Sequence, residues 1–121
     1  MRILVVEDDR SVRETLGMVL ESYHHDVDLI ETPHRALEYL ESIWPDILLL
    51  DLRLEGMSGE ELYGKILERF GVTPPTVVLS AVQHGEERLC NMPGAKFLAK
   101  PYLLDELMAL LDTLVEKRGA A

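Results

Sequence analysis

Five short apolar runs, each separated from the next by a stretch of helical periodicity, constrain this chain more than any other feature. Arg2 to Val6 is apolar and β-branched and reads as a buried strand. Val27 to Glu31 sets Val27 and Leu29 against Asp26 and Asp28, which suits an edge strand whose charges discourage further pairing. Asp46 to Leu50 is apolar on both faces, as expected at the centre of a parallel sheet. Thr76 to Ser80 and Lys96 to Ala99 complete the set. Ser11-x-x-Glu14 reads as a capping box that opens the first helix, with Val12, Leu16, Val19, Leu20 and Tyr23 at helical spacing. Thr32 caps a second helix with Pro33 at its first position and Ala36, Leu37, Leu40 and Ile43 as its buried stripe. Gly56 and Gly59 bracket a turn, and Ser58-x-x-Glu61 caps a third helix carrying Leu62, Ile66 and Leu67. Gly85 to Asn91 offers only a short fourth helix, closed by Pro93-Gly94. Asp105 to Lys117 is the last, with Leu107, Leu111 and Leu114 inward. The alternation predicts an α/β fold, an open parallel sheet covered by helices on both faces.

The 121 residues fit one domain, 1–121. With only two Phe and one Trp, the core must be aliphatic, and Trp44 reads as a packing residue over the sheet edge. No apolar run is long enough to span a bilayer, and no secretory signal precedes the first strand. The single Cys90 excludes an internal disulfide, so a reducing, cytoplasmic setting is expected. The net charge of −10, with scattered basic residues, argues against direct nucleic-acid contact. A phosphoryl ligand on so acidic a chain needs a metal to bridge it.

Right-handed crossovers gather the C-terminal strand ends on one rim, where ligands of such sheets bind. Glu7, Asp8 and Asp9 follow the first strand, Asp51 the third, Ser80 closes the fourth and Lys100 follows the fifth. Lys100 has to cross two strand gaps of roughly 4.8 Å each to reach Asp51. Clustered carboxylates repel, and one is driven to hold a proton unless a hard cation joins them. Mg²⁺ (or Mn²⁺) suits such oxygen donors, and the scarcity of Cys and His argues against zinc. Asp51 can then act as a nucleophile toward phosphorus, with Lys100 balancing charge and Ser80 donating a hydrogen bond to a phosphoryl oxygen.

The Ile3-to-Asp9 stretch, the Pro45-to-Asp51 run, the Gly56-Met57-Ser58-Gly59 turn, the Ser80-Ala81 pair and Lys100-Pro101-Tyr102 resemble the receiver domains of two-component response regulators, in the same order and over essentially the whole chain. The resemblance implies a flavodoxin-like sheet of order 2-1-3-4-5 with five helices, and Asp51 as phospho-acceptor. It implies direct metal ligation by Asp8, a water-mediated role for Glu7 and a further ligand in the Arg53 carbonyl. Ser80 and Phe97 match its switch positions, and the Lys100-Pro101 bond is expected to be cis. The implied partners are a histidine kinase or phosphotransfer protein, and downstream either another protein or a fused effector domain. A homodimer through the face of helix four, strand five and helix five is also implied.

Several residues read two ways. Glu7-Asp8-Asp9 also suits a helix approach, and Phe97 reads equally as a core aromatic. Met108 and Leu110 read as a widened core contact or as a docking face. The Ser80 to Lys100 interval is shorter than is usual in the family, Glu55 replaces a common proline, and Leu103 replaces a common cap, which leaves Asp105 to start the last helix. Arg53 and Val82 flank the site and predict slow self-dephosphorylation. Three rival readings remain. A haloacid-dehalogenase-like phosphatase wants a second aspartate where Arg53 stands. A flavin-binding relative wants a Gly- and hydroxyl-rich loop where Glu7-Asp8-Asp9 stands. A degenerate receiver would serve only as a binding module.

Overall fold

The computed structural model describes residues 1–81 and 92–119. In chain order these form β1 (Arg2–Val6), α1 (Arg10–Ser22), β2 (Asp26–Ile30), α2 (Pro33–Ser42), β3 (Ile47–Asp51), α3 (Gly59–Phe70), β4 (Thr76–Ser80), β5 (Lys96–Ala99) and α4 (Leu104–Gly119). All strand pairs are parallel, in the order β2-β1-β3-β4-β5. This is the flavodoxin-like order, with four helices among the described residues. The short helix expected over 85–91, Val82 and Cys90 lie outside the described residues.

The sheet divides the core in two because side chains alternate along each strand. Leu4, Val6, Leu48, Leu50 and Val78 join Ala36, Leu40, Leu62, Tyr63 and Ile66 on the α2/α3 side. Ile3, Val5, Ile47, Leu49, Val77 and Leu79 join Leu16, Leu20, Leu107 and Leu111 on the α1/α4 side. Burying each such aliphatic side chain contributes about 1.5–3 kcal/mol, so the three central strands anchor the fold from both faces. Met108 and Leu110 pack against the second cluster, as a widened core contact would. Trp44 packs edge-on against Phe70, at a ring separation of 5.6 Å, and stays partly exposed. Ile43 is exposed and caps the end of α2 rather than extending its buried stripe.

Two helix starts differ from expectation. Asp9, not Ser11, caps α1: its Oδ1 accepts from the Val12 N–H at 3.0 Å. Both residue types cap well, but Asp9 comes first and adds negative charge beside the helix N-terminus. Ser11 then falls inside the first turn, and Glu14 pairs with Arg10 at 2.9 Å instead. The last helix begins at Leu104 rather than Asp105. The Glu106 carboxylate accepts from the Leu103 N–H at 3.2 Å, half of a capping box without its hydroxyl. Thr32 and Ser58 cap α2 and α3 as their sequences require, accepting from Arg35 and Glu61 amides.

Candidate functional site

Parallel pairing sends every strand end to one rim, and the polar residues there are placed by the strands themselves. The Glu7 N–H donates to the Ile30 carbonyl at 3.1 Å, which carries the β1–β2 ladder one residue past Val6 and buries the Glu7 side chain. Asp51 is the last residue of β3, paired with Leu79. The Lys100 N–H donates to the Ser80 carbonyl at 2.9 Å, prolonging the β4–β5 ladder. Its side chain then spans β4 to place Nζ 3.2 Å from Asp51 Oδ2 and 3.6 Å from Glu7 Oε2. The Arg53 N–H holds the other Asp51 oxygen at 2.9 Å, and the Asp9 N–H donates to Glu7 Oε1 at 3.2 Å.

Ser80 is buried at the end of β4, on the strand between Asp51 and Lys100. Phe97 is half-buried, pairs with Val78 in register and packs on the α2/α3 core. The Lys100-Pro101 bond is cis. Asp8 is exposed. Among the described residues no three His, Cys, Asp or Glu side chains converge as a preformed metal cage. The structure therefore joins Glu7, Asp51 and Lys100 directly and leaves Asp8 at the outer margin.

The charges at this rim are strained against one another. Burial, then hydrogen bonding and charge from Asp51, push the Glu7 carboxyl up to about 7, against the opposing pull of Lys100 and the Asp9 amide. Burial pulls the Lys100 ammonium down, but Asp51 and Glu7 outweigh it and hold it above its ordinary value. Two carboxylates thus face one ammonium, and an oxygen-only donor set short of one positive charge fits Mg²⁺, which takes one or two carboxylates and keeps its waters.

A stability test follows. A carboxyl raised in the folded state binds its proton more tightly there than in the unfolded chain. Between about 4.5 and about 7 the unfolded chain releases that proton first, so stability falls as pH rises through this window and the loss is complete above it. Without divalent ions, the melting temperature is expected to fall between about pH 5.5 and about pH 7.5 more in the wild type than in Glu7→Gln. His25, depressed by burial, acts in the opposite direction, and the difference between the two proteins isolates Glu7. Mg²⁺ should stabilise the wild type most at the upper end of the range. Equal pH slopes for the two proteins would contradict this account.

Sequence reasoning passed over Arg13 beside the rim and gave Gly59 and Tyr102 no part beyond their motifs. Arg13 carries a largely buried guanidinium whose Nη1 donates to the Glu7 carbonyl at 2.9 Å. Its only sequence signal is an arginine four residues after a capping aspartate, on the first turns of α1. Gly59 does more than close a turn: a Cβ there would lie 2.4 Å from the Asp51 carbonyl oxygen. Gly56, at φ 82°, is the residue that the turn itself requires. Tyr102, half-buried, has its hydroxyl pKa raised by burial and lines a groove with Leu104 and the exposed face of α1.

Comparison with known proteins identifies the family and the fold. Response regulator MprA of Mycobacterium avium is 35% identical over 119 residues, 97% of this chain and 52% of that protein. The chain spans about half the length of the curated relatives it matches. The response regulator TrrA of Thermotoga maritima, solved in complex with Mg²⁺-BeF, superposes with a TM-score of 0.83 at 30% identity, covering 93% of this chain and 97% of that one. TrrA in complex with the histidine kinase ThkA gives a TM-score of 0.82 at 28% identity, with the same coverage. The response regulator receiver domain family matches residues 3–112, and the chain belongs to that family.

Proposed function

We propose that residues 1–121 form a single cytoplasmic receiver domain that accepts a phosphoryl group on Asp51 from a histidine kinase or phosphotransfer protein. The observation that carries this reading is the Lys100 ammonium seated between Asp51 and Glu7 at 3.2 and 3.6 Å. An Asp51 oxygen attacks phosphorus, the new P–O bond forms as the donor's P–N bond breaks, and the departing imidazole takes up a proton. The Arg53 amide orients the carboxylate, and Lys100 balances charge on the transferred oxygens. Ser80 donates to a phosphoryl oxygen. A bound Mg²⁺ (or Mn²⁺) would supply the remaining positive charge, and Asp8, Asp51 and the Arg53 carbonyl would hold it, with Glu7 acting through water. The TrrA complex with Mg²⁺-BeF supports magnesium as the ion by likeness.

Beside the rim, a groove of about 400 Å³ runs between α1 and the start of α4, lined by Val12, Thr15, Leu16, Val19, Tyr102 and Leu104. Its walls follow Asp9 and Lys100 in the chain, which makes it a candidate seat for the donor protein. The ThkA–TrrA complex supports a histidine kinase as the donor by likeness. Output runs through Ser80 and Phe97 to the β5–α4 face, and from there to an effector domain, another protein or a second copy of the chain.

The test is incubation with acetyl phosphate in Mg²⁺ or in EDTA, followed by intact mass. One added phosphoryl group is expected with Mg²⁺ and none with EDTA; no addition under either condition would favour the degenerate, binding-only reading. After donor removal, the label should decay over minutes or longer, because the bulky Arg53 side chain stands two residues from Asp51. Loss within seconds would refute that lifetime. Val82, the second residue expected to shield the ester, lies outside the described residues.

A further inference from the structure

Three consecutive carboxylates, Glu7, Asp8 and Asp9, repel one another, and the short loop that carries them must still hold its shape. Arg13 is placed to do this. Its side chain is only 13% exposed. Nη1 donates to the Glu7 carbonyl at 2.9 Å and lies 3.4 Å from the Asp8 carbonyl. Nη2 lies 3.8 Å from a Glu31 oxygen, and the other Glu31 oxygen lies 3.7 Å from Arg35 Nη1. A buried guanidinium must use its donors. If Arg13 served only to tie α1 to the residue that follows β2, its short contact would be the one to Glu31. The short contact is instead to the main chain of the acidic loop. The cation thereby offsets the loop's charge through carbonyl oxygens, with neither the Glu7 nor the Asp8 carboxylate among its ion-pair partners.

We infer that Arg13 is a positioning residue of the site: its guanidinium clamps the Glu7 and Asp8 carbonyls and so fixes where their carboxylates stand relative to Asp51. This rests on the proposed metal-dependent function. The other locks on the loop are the Asp9 cap on Val12, the Glu7 amide bond to Ile30, the Asp9 amide bond to Glu7 Oε1 and the Arg13 amide bond to the Asp9 carbonyl. The Asp9 amide reaches the peptide after Asp8, but none of these holds the Glu7–Asp8 peptide, whose carbonyl Arg13 meets at 2.9 Å, which makes Arg13 the residue whose loss should free it.

The test has two parts. Amide hydrogen exchange at Asp8 and Asp9 is measured on wild type, Arg13→Met, Arg13→Lys and Glu31→Gln without metal, after circular dichroism shows each to be folded. Mg²⁺ affinity is then measured by calorimetry on the same proteins. Arg13→Met is expected to exchange faster at Asp8 and to bind Mg²⁺ about tenfold more weakly, the scale on which outer residues affect metal sites. Glu31→Gln, which keeps the carbonyl clamp, should stay within about twofold of wild type, as for a partly exposed ion pair. Arg13→Lys should fall between them, because an ammonium lacks the planar fork that meets two carbonyls and a carboxylate together.

Unchanged exchange and affinity in Arg13→Met would overturn the inference. So would an equal loss in Glu31→Gln, which would make the contact to Glu31 the operative one. Should Arg13→Met fail to fold, wild-type exchange and affinity in Arg13→Lys would overturn it in the same way. A wild type that binds no Mg²⁺ overturns the proposed function instead, and the metal-free exchange data still decide whether Arg13 orders the loop.

Discussion

Asp51→Asn is expected to abolish phosphoryl uptake outright, with intact mass unchanged after exposure to acetyl phosphate and Mg²⁺. The substitution keeps shape and one hydrogen bond: an amide oxygen still accepts from the Arg53 N–H that now holds Oδ1 at 2.9 Å. What it removes is the carboxylate that attacks phosphorus and the charge that Lys100 meets at 3.2 Å. A carboxamide is a poor nucleophile and cannot give an acyl phosphate. The fold should survive, since the core lies below the rim. The same variant relieves Glu7 of its second and third upward influences, leaving burial, so its carboxyl should titrate lower than in the wild type. Mass gain that persists in this variant would place the acceptor on another residue.

The largest expected loss of stability comes from Gly59→Ala. An added methyl would meet the Asp51 carbonyl oxygen at 2.4 Å and the Leu52 Cα at 3.0 Å, both backbone atoms that cannot swing aside. The Gly59 N–H donates to the Leu52 carbonyl at 3.0 Å, so the start of α3 is tied to the very segment it would have to leave. Overpacking of this kind costs about 3 kcal/mol, at the upper end for one methyl, because no flexible neighbour absorbs it. Gly56→Ala is the control. Its site has φ 82° and open space around it, so the cost there is backbone strain of about 1–2 kcal/mol. Urea denaturation of both variants distinguishes the two causes. Should Gly56→Ala prove the more damaging, the close approach of α3 to β3 would not be the dominant constraint. Gly59→Ala should also slow phosphorylation of the fraction that folds, since Asp51 moves with its own carbonyl.

The sequence made the sheet readable because its signals are local. Apolar runs such as Ile47 to Leu50 announce buried strands without reference to any neighbour, and Thr32 and Ser58 sit immediately before the helices they cap. Placing Asp51 and Lys100 on one rim needed only the handedness of crossovers. What local pattern could not carry was depth. Glu7, Asp8 and Asp9 look alike in sequence. Which one turns inward depends on how far the β1–β2 ladder runs, and that is decided by the Glu7 bond to Ile30. Resemblance to the family gave Glu7 the lesser part, whereas the structure buries Glu7 beside Lys100 and leaves Asp8 exposed. Ser11 satisfied a capping pattern two residues too late because Asp9 had already taken the position. The tight clearance at Gly59 and the carbonyl contacts of Arg13 were illegible for the same reason. One answers to a backbone atom of β3, the other to carbonyls of the loop before its own helix.

Division of the interior by the sheet has an outcome for how this protein tolerates change. Floor and workbench are built from different residues: aliphatic side chains inside the strands carry the weight, while the reactive groups occupy the last position of a strand or the first beyond it. Substitutions at Asp51 or Lys100 can therefore rewrite reactivity without loosening the framework. Gly59 is the joint where the two trades share a single atom of clearance, and there a change too small to alter charge or polarity is enough to spoil both.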